Sequence, residues 1–340
     1  MCMSSRRAFL WAFIALFVLS LTILSSCGAS APAEAPAPET PSPSPTPAVA
    51  ELTLTGEERL DWPCGIPFEE PGYAAKSPTG QDITGEVKVT GEVDWMTPGE
   101  YELTYTVRQG RAEQAKAKRL VSVNAVGYPE IKATDGKVIY LTFDDGPSEY
   151  TPMLLEMLER HNAKATFFVI TGNNKYLDTL LPEIYAAGHS VGVHAQNHEY
   201  DVLYSGSEYY LNDLNAARQR VYELTEEYVK LCRFPGGSAT AYYKLNNREK
   251  GAWDTVTAQL ERMGIQYVDW NINPENSINS GVSVVNSVKL FSQKYDTPLP
   301  LQHDTRLYSV KAVEDILIWG EENGYTFLGL DTSVPPVHSY

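Results

Sequence analysis

The sequence predicts an α/β domain over most of its length, preceded by a smaller all-β domain. From residue 136 onward, apolar strand-like runs alternate with segments of helical spacing, as in residues 137–142 followed by residues 152–160. Strands that are apolar at nearly every position indicate a parallel sheet covered on both faces. The number of strand–helix units suits closure into a (β/α) barrel, in which polar residues just after the strand ends form the site.

Residues 51–125 have the pattern of short β-strands. Side chains alternate at period two over residues 52–54, 87–89 and 101–107, and turn signals such as Pro-Gly separate these runs. The pattern predicts a small sandwich. Its Pro-Gly-Glu-Tyr step at residues 98–101 resembles the immunoglobulin-like modules of bacterial surface proteins. We find no catalytic constellation in this domain, so we expect a structural module or spacer, with wall or sugar binding as the alternative.

The N-terminus predicts export. Arg6 and Arg7 precede an uncharged apolar run over residues 8–24, which is typical of a signal sequence. The run ends in Leu-Ser-Ser-Cys-Gly, which resembles the lipobox of bacterial lipoproteins and makes Cys27 the expected lipidation site. An ordinary secretory signal or an uncleaved anchor helix would also export the chain. The Pro- and Ala-rich stretch that follows, up to residue 50, predicts an extended linker.

Charge and cysteine content exclude two classes of protein. The formal net charge is −16 and no basic arm is present, which argues against nucleic-acid binding. Of the 4 cysteines, Cys2 lies in the signal and Cys27 is the expected lipid site. The remaining pair, Cys64 and Cys232, falls in different predicted domains, so we expect two buried free thiols and no disulfide framework.

Acidic and imidazole side chains follow two of the predicted strands. Asp144 and Asp145 end the first strand, and adjacent carboxylates are costly there unless a cation neutralises them. His194 and His198, four residues apart after a buried strand, can point the same way, as metal binding requires. With Asp145 they would form a set of two histidines and one carboxylate. Taken singly, each feature is also compatible with an ordinary polar surface.

Three more strand ends carry functional groups. Arg233 opens an Arg-Phe-Pro-Gly-Gly segment and can hold a carboxylate through two hydrogen bonds. Asp269 and Trp270 present an acid and a large flat ring at the end of another strand. His303 ends a strand of sequence Leu-Gln-His.

In this order, the five segments resemble the motifs of the polysaccharide deacetylases, the family with the NodB homology domain (carbohydrate esterase family 4). They match its Thr-Phe-Asp-Asp-Gly, His-x-x-x-His, Arg-x-Pro-x-Gly, Asp-Trp and Leu-x-His elements. Each element is weak alone, but five in register are specific. The resemblance covers residues 136–340 and implies a distorted (β/α) barrel of the NodB type.

The resemblance implies a bound divalent metal, usually Zn²⁺, and a general base. Asp145, His194 and His198 would hold the metal. Asp144 would act as the base, oriented by Arg233.

The resemblance also implies a proton donor and a pocket for the acetyl group. His303 would be the general acid, and Asp269 would stabilise its charged form. A backbone N–H near Gly236 would face the oxyanion, while Trp270 and Leu301 would enclose the acetyl methyl.

Two segments depart from the family pattern. Ala195 stands where relatives usually have Ser or Thr, whose hydroxyl braces the metal-binding loop; Gln196 and Asn197 are also unusual there. Residues 271–277 are atypical where relatives tend to carry Gly-Asp. No metal-binding or proton-transfer residue is missing, so we expect an active enzyme.

These features predict a lipid-anchored, extracytoplasmic and monomeric enzyme that removes N-acetyl groups from peptidoglycan, most directly from N-acetylglucosamine. One alternative is a deacetylase of another polymer, such as a chitin-like, xylan or adhesive glucosamine polysaccharide. Another is a non-catalytic wall-binding lipoprotein. The predicted divisions of the chain are a signal at 1–26, lipidated Cys and linker at 27–50, immunoglobulin-like domain at 51–125, linker at 126–135 and deacetylase domain at 136–340.

Overall fold

The computed structural model describes residues 49–109, 111–132, 135–275 and 279–340. Val49–Tyr340 forms one compact unit that contains both predicted domains. The predicted signal sequence, Cys27 and most of the linker lie outside the described residues. In the part of the chain that is described, no helix has the length and apolarity needed to cross a bilayer.

The N-terminal domain is all-β, as predicted. A two-stranded sheet (β1 and β3) faces a four-stranded sheet of order β2-β6-β5-β4. The long hairpin of β5 and β6 is antiparallel, and β2 pairs with β6 in parallel. The inward side chains Tyr105, Val121 and Val123 are buried between the sheets. The strands are β1 (Glu51–Leu54), β2 (Arg59–Pro63), β3 (Tyr73–Lys76), β4 (Lys88–Thr90), β5 (Gly99–Gln109) and β6 (Ala112–Asn124).

The C-terminal domain alternates strands and helices. Its strands are β7 (Lys137–Ile139), β8 (Thr142–Asp144), β9 (Thr166–Ile170), β10 (Ser190–Ala195), β11 (Leu231–Cys232), β12 (Gln266–Tyr267), β13 (Leu301–His303) and β14 (Tyr325–Phe327). Its helices are α1 (Thr151–Arg160), α2 (Leu177–Ala186), α3 (Tyr200–Leu203), α4 (Ser207–Thr225), α5 (Gly237–Arg248), α6 (Ala252–Arg262), α7 (Gly281–Ser292) and α8 (Leu307–Glu322). Six strands form a parallel sheet of order β12-β11-β10-β9-β8-β13.

The two edges of this sheet meet, which closes it into a distorted barrel. Ile272, beyond the end of β12, forms a parallel bridge with Pro300, just before β13. The Leu301 N–H donates to the Ile272 carbonyl at 2.9 Å, and the Asn271 N–H donates to the Leu299 carbonyl at 3.2 Å. The predicted (β/α) barrel is therefore confirmed, with irregular pairing at the closing seam.

The first predicted strand of the barrel, residues 137–142, is two strands in the structure. β7 pairs in parallel with β14, whereas β8 joins the six-stranded sheet between β9 and β13. Between them, the Tyr140 N–H donates to the Pro298 carbonyl at 3.0 Å. The apolar residues 138–141 suit both strands because all four are buried, so hydrophobicity alone cannot reveal the change of partner.

The two domains are docked against each other. Arg218 of α4 is 3% exposed, and its guanidinium donates to the Gly65 carbonyl at 2.8 Å. Gln259 of α6 donates to the Met96 carbonyl at 2.7 Å. Burial lowers the pKa of Arg218 to about 10, and its hydrogen bonds to carbonyl groups offset the cost of burying the charge. Cys64 and Cys232 are buried free thiols, as predicted.

Gly65 gives a direct test of this docking. Its φ is +85°, and a Cβ there would lie 2.6 Å from Cγ of Met263 on the facing domain. Gly80 has the same φ of +85°, but a Cβ there meets nothing within 4 Å. We expect Gly80→Ala to lower the free energy of unfolding by about 1 kcal/mol through backbone strain alone. Gly65→Ala should lower the free energy of unfolding by roughly a further 1–3 kcal/mol, because the new Cβ would clash with Met263.

Urea denaturation of the two glycine variants measures this difference. Equal destabilisation by both substitutions would show that the two domains are not packed together at Gly65.

Candidate active site

Three side chains from the ends of β8 and β10, the two strands that flank β9, converge on one point. Asp145 directly follows β8, His194 lies in β10, and His198 lies in the loop after β10. Nε2 of each histidine is 3.5 Å from Oδ1 of Asp145, and the three ligand atoms lie within 4.8 Å of one another. Oδ1 of Asp145 is buried and has no hydrogen-bond partner among the described residues. A cation held between these atoms would satisfy that oxygen, so the donor set fits a divalent metal.

The local backbone conformation and hydrogen bonds orient the side chains of Asp145 and His194 toward the proposed metal site. Asp145 has a φ of 69°, a left-handed conformation that Asp tolerates better than most residues. Nδ1 of His194 lies 2.8 Å from the Arg233 carbonyl, which fixes Nδ1 as the protonated nitrogen and directs the Nε2 lone pair into the site. Burial lowers the pKa of His194 to about 3, so its imidazole is neutral, as a metal ligand must be.

Asp213 of α4 braces the loop that carries His198. Its carboxylate accepts from the backbone N–H groups of Gln196 at 2.7 Å and Asn197 at 2.9 Å. Ala195, where relatives usually have a hydroxyl, is 2% exposed at the end of β10. These two backbone hydrogen bonds hold the loop in this chain, although Ala195 has no hydroxyl to do so.

Asp144 lies beside this group and is bound to Arg233. Both side chains are almost fully buried, and Nη1 of Arg233 donates to Oδ1 of Asp144 at 2.8 Å. The guanidinium also donates to the Thr142 hydroxyl and to the carbonyls of Val268 and Asp269. Burial raises the pKa of Asp144, and the charge of Arg233 opposes that rise. Oδ2 of Asp144 faces the site, 3.9 Å from Nε2 of His194.

His303 stands opposite, on the neighbouring strand. It is in register with Asp144 across the β8–β13 pair, and its Nε2 lies 3.6 Å from Oδ2 of Asp145. Its Nδ1 lies 2.7 Å from Oε2 of Glu275, whose Oε1 accepts from the His303 N–H at 2.8 Å. Burial alone would lower the pKa of His303. The hydrogen bond and charge of Glu275 outweigh that effect, so the pKa of His303 lies above its ordinary value. The Glu275 side chain is 1% exposed and also pairs with Arg306 at 2.6 Å.

The prediction that Asp269 stabilises the charged form of His303 is wrong. The Asp269 carboxylate accepts from the Ser238 N–H at 2.8 Å, from the Ser238 hydroxyl and from the Ser339 N–H at 2.6 Å. It therefore caps the start of α5 and fixes the C-terminal segment. Its place beside His303 is taken by Glu275, which lies in the atypical stretch after Trp270.

The remaining predicted residues are Trp270, Leu301 and Gly236. The Trp270 ring is half-buried, with its centroid 5.7 Å from the Arg233 guanidinium carbon. Leu301 lies two residues before His303 in β13 and is 8% exposed. Gly236 has a φ of 76°, and a Cβ there would lie 2.8 Å from the Tyr200 hydroxyl.

Tyr200 is a neighbour of the site that the sequence did not indicate. Its ring centroid lies 5.3 Å from that of His198. Burial raises the pKa of Tyr200, and the charges of Asp145 and Asp144 act in the same direction. No spacing or composition singles it out among the 21 tyrosines of the chain.

The barrel and the site together define a metal-dependent hydrolase. The family description for polysaccharide deacetylases matches residues 131–252, and that for the Ig-like domain of bacterial surface proteins matches residues 52–123. A peptidoglycan-N-acetylglucosamine deacetylase of Bacillus cereus is 34% identical over 226 residues, which are 65% of this chain and 78% of that protein. The chain belongs to the polysaccharide deacetylase family.

Other similar proteins agree with this assignment. A peptidoglycan-N-acetylglucosamine deacetylase of Listeria monocytogenes is 29% identical over 61% of this chain, and the match spans only 41% of the Listeria protein. The catalytic domain of a peptidoglycan N-acetylglucosamine deacetylase from Eubacterium rectale has a TM-score of 0.58 and 33% identity, covering 62% of this chain and 96% of that structure. A polysaccharide deacetylase from Bacillus cereus has a TM-score of 0.52 and 31% identity, covering 60% of this chain and 97% of that structure.

Proposed function

We propose that this protein removes N-acetyl groups from peptidoglycan, most directly from N-acetylglucosamine, using a bound divalent metal. One observation carries the proposal. A buried carboxylate held by an arginine, Asp144, and an imidazole paired with a carboxylate, His303, both lie beside the three-residue metal-ligand set. This geometry supplies a base and an acid on either side of one reacting carbon. The names of the similar proteins support the choice of polymer.

The proposed reaction is hydrolysis of the acetamide C–N bond. Asp145, His194 and His198 would hold the metal, which we propose to be Zn²⁺, and this metal supplies Lewis-acid polarisation of the acetamide carbonyl. Asp144 takes a proton from the attacking water. His303 gives a proton to the nitrogen as the C–N bond breaks, so the products are acetate and a free amino sugar.

The pocket residues position the acetyl group. We propose that the side chains of Trp270 and Leu301 enclose its methyl group. A backbone N–H near Gly236 donates to the carbonyl oxygen as negative charge develops there. The positive φ of Gly236 and its close approach to Tyr200 leave no room for a side chain at this position.

Glu275 is the positioning residue for His303 in this account. Glu275→Gln keeps the size of the side chain but removes the charge that holds the imidazole, so we expect kcat to fall roughly 10- to 100-fold. KM and metal content should stay within about twofold, since the hydrogen bonds of Glu275 go to His303 and Arg306. Glu275→Asp, which keeps the charge, should recover part of kcat. Steady-state kinetics and metal analysis of the three proteins provide the check.

A rise in KM at constant kcat in the Gln variant would contradict this role. Equal losses in the Gln and Asp variants would show that packing at position 275 matters and its charge does not.

We also propose that the protein acts outside the cytoplasm as a monomer, anchored through a lipid on Cys27. The apolar run and the Leu-Ser-Ser-Cys-Gly sequence support this proposal. The linker up to residue 50 would then carry the domains at 51–125 and 136–340 away from the membrane. Cell fractionation of the Cys27→Ala variant, with release from the membrane as the expected result, tests the anchor.

A panel of acetylated polymers tests the substrate. Acetate release is measured on purified peptidoglycan, chito-oligosaccharides, acetylxylan and an acetylated glucosamine polymer. We expect release from peptidoglycan, with free amino groups appearing on its glucosamine residues. Turnover of another polymer with none of peptidoglycan would overturn the choice of substrate. Binding without turnover of any polymer would favour a non-catalytic wall-binding protein.

A further inference from the structure

A cavity of about 790 Å³ opens beside His198 and extends along α4. Gln196 and Asn197 form one side, and Tyr209, Asn212 and Asp213 of α4 form the other. The cavity therefore borders the proposed metal site at His198 alone and extends from the metal-binding loop toward the first two turns of α4.

A second cavity, of about 450 Å³, lies between the two domains. Trp95 and Thr97 of the immunoglobulin-like domain face Glu208 and Asn212 of α4 and Thr255 of α6 across it. The all-β domain therefore supplies one wall of a cavity whose other wall belongs to the catalytic domain.

The two cavities occupy adjacent faces of the same helix. At 3.6 residues per turn, Tyr209, Asp213 and Ala216 share one face of α4, and the next face carries Glu208, Leu211 and Asn215. Asn212 lies at the boundary between these faces and lines both cavities. Glu208, Tyr209 and Asn212 are exposed, so the ridge between the cavities is open to solvent.

The loop that carries Trp95 is held by hydrogen bonds within its own domain and by one to the catalytic domain. The Trp95 carbonyl accepts from the Gly65 N–H at 2.9 Å, and the Met96 carbonyl accepts from Gln259 at 2.7 Å. The Met96 N–H donates to Asp94 at 3.0 Å. Because these bonds fix the backbone of the loop, a ligand that contacts the half-buried ring of Trp95 does not lose binding free energy to ordering the loop.

The chemistry of the lining suits sugar units. Aromatic rings at Trp95 and Tyr209 offer flat apolar surfaces, and neighbouring amides and hydroxyls offer hydrogen bonds to ring substituents. No Lys or Arg is among the described residues that line either cavity, while Glu208 and Asp213 add negative charge. Neutral acetylated units and the cationic amino sugars formed by deacetylation both fit this surface better than acidic polymers do.

We propose that the immunoglobulin-like domain supplies a distal glycan-binding subsite, lined by Trp95, for sugar units several positions away from the one at the metal. The inference rests on the proposed function, because that function supplies the occupant. A glycan that has one sugar unit at the metal site and continues along the first cavity would cross Asn212 and enter the second cavity. The domain is thus part of the substrate-binding surface as well as a structural module.

Chain-length dependence tests the subsite. Deacetylation and equilibrium binding are measured with the dimer of N-acetylglucosamine (N,N′-diacetylchitobiose, called chitobiose below) and with the hexamer. The proteins compared are the wild type, Trp95→Ala and Thr97→Arg. Thr97 is exposed, so the arginine would fill the cavity without removing the tryptophan. Both variants should weaken binding of the hexamer and raise its KM roughly 5- to 10-fold, with chitobiose unchanged. Tyr243→Ala is the control, since Tyr243 is 63% exposed and lines neither cavity.

The outcomes separate this inference from the proposed function. Equal effects on both oligomers, or no effect of either substitution, would overturn the subsite. Hexamer binding that is sensitive to Trp95 and Thr97, without acetate release by the wild type from either the hexamer or peptidoglycan, would support the subsite and contradict the proposed activity.

Discussion

Replacing Asp144 by Asn is expected to lower the rate of acetate release by about 10²- to 10⁴-fold while the metal stays bound. The substitution removes the carboxylate that we propose as the proton acceptor and keeps the shape of the side chain. The metal-ligand set of Asp145, His194 and His198 is untouched. Initial rates on peptidoglycan and metal analysis of the purified variant measure the two effects separately.

Asp178→Asn is a suitable control for this substitution. Asp178 is a carboxylate on α2 that also pairs with an arginine, Arg220, but its side chain is 67% exposed. The Asp178→Asn variant should keep full activity, because surface ion pairs of this kind contribute little to stability. Loss of the metal from the Asp144→Asn variant would show that the roles assigned to the two adjacent aspartates are wrong.

Replacing His194 by Ala is expected to abolish both metal retention and activity. It removes one of the three proposed ligands, the one that is oriented by the Arg233 carbonyl, so the metal dissociation constant should rise by more than about 100-fold. Calorimetric titration of the metal-free protein with zinc gives the constant directly. Activity should not return at zinc concentrations that saturate the wild type.

His189 provides the matched control for His194. It is also a buried histidine, 6% exposed, and its Nδ1 accepts from the Ala165 N–H at 3.3 Å. Burial lowers its pKa to about 4, and it lies outside the metal-ligand set. His189→Asn can keep the hydrogen bond and should bind zinc as the wild type does. Loss of zinc binding in both variants would mean that general disruption of β10 explains the His194 result.

The parts of the site that the sequence predicts are those whose spacing is local. Asp144 and Asp145 are adjacent, and His194 and His198 are four residues apart at the end of a single strand. In a parallel barrel, strand ends gather at one rim, so the position of each residue relative to its own strand was enough to bring these groups together.

Glu275 could not be predicted because its contact depends on barrel closure. It is 28 residues away from His303 along the chain. The two meet because the bridge between Ile272 and Pro300 joins the segment after β12 to β13. The only signal in the sequence was negative, namely that residues 271–277 depart from the family pattern.

The docking of the two domains was also hidden in the sequence. Its contacts involve Gly65, Arg218 and Gln259, which individually look like a turn glycine and two polar helix residues. What distinguishes them is their burial against the other domain, a property of the folded chain. Period-two alternation still identified the all-β domain correctly, because one face of each sheet is buried within that domain.

The measurement that most directly tests metal-dependent deacetylation is acetate release from purified peptidoglycan by the full protein. Release is measured before chelation, after a chelator has removed the metal, and after zinc is added back. We predict release that the chelator abolishes and zinc restores. Undiminished release from protein shown by analysis to be free of metal would contradict it, as would no release from protein shown to carry one metal per chain.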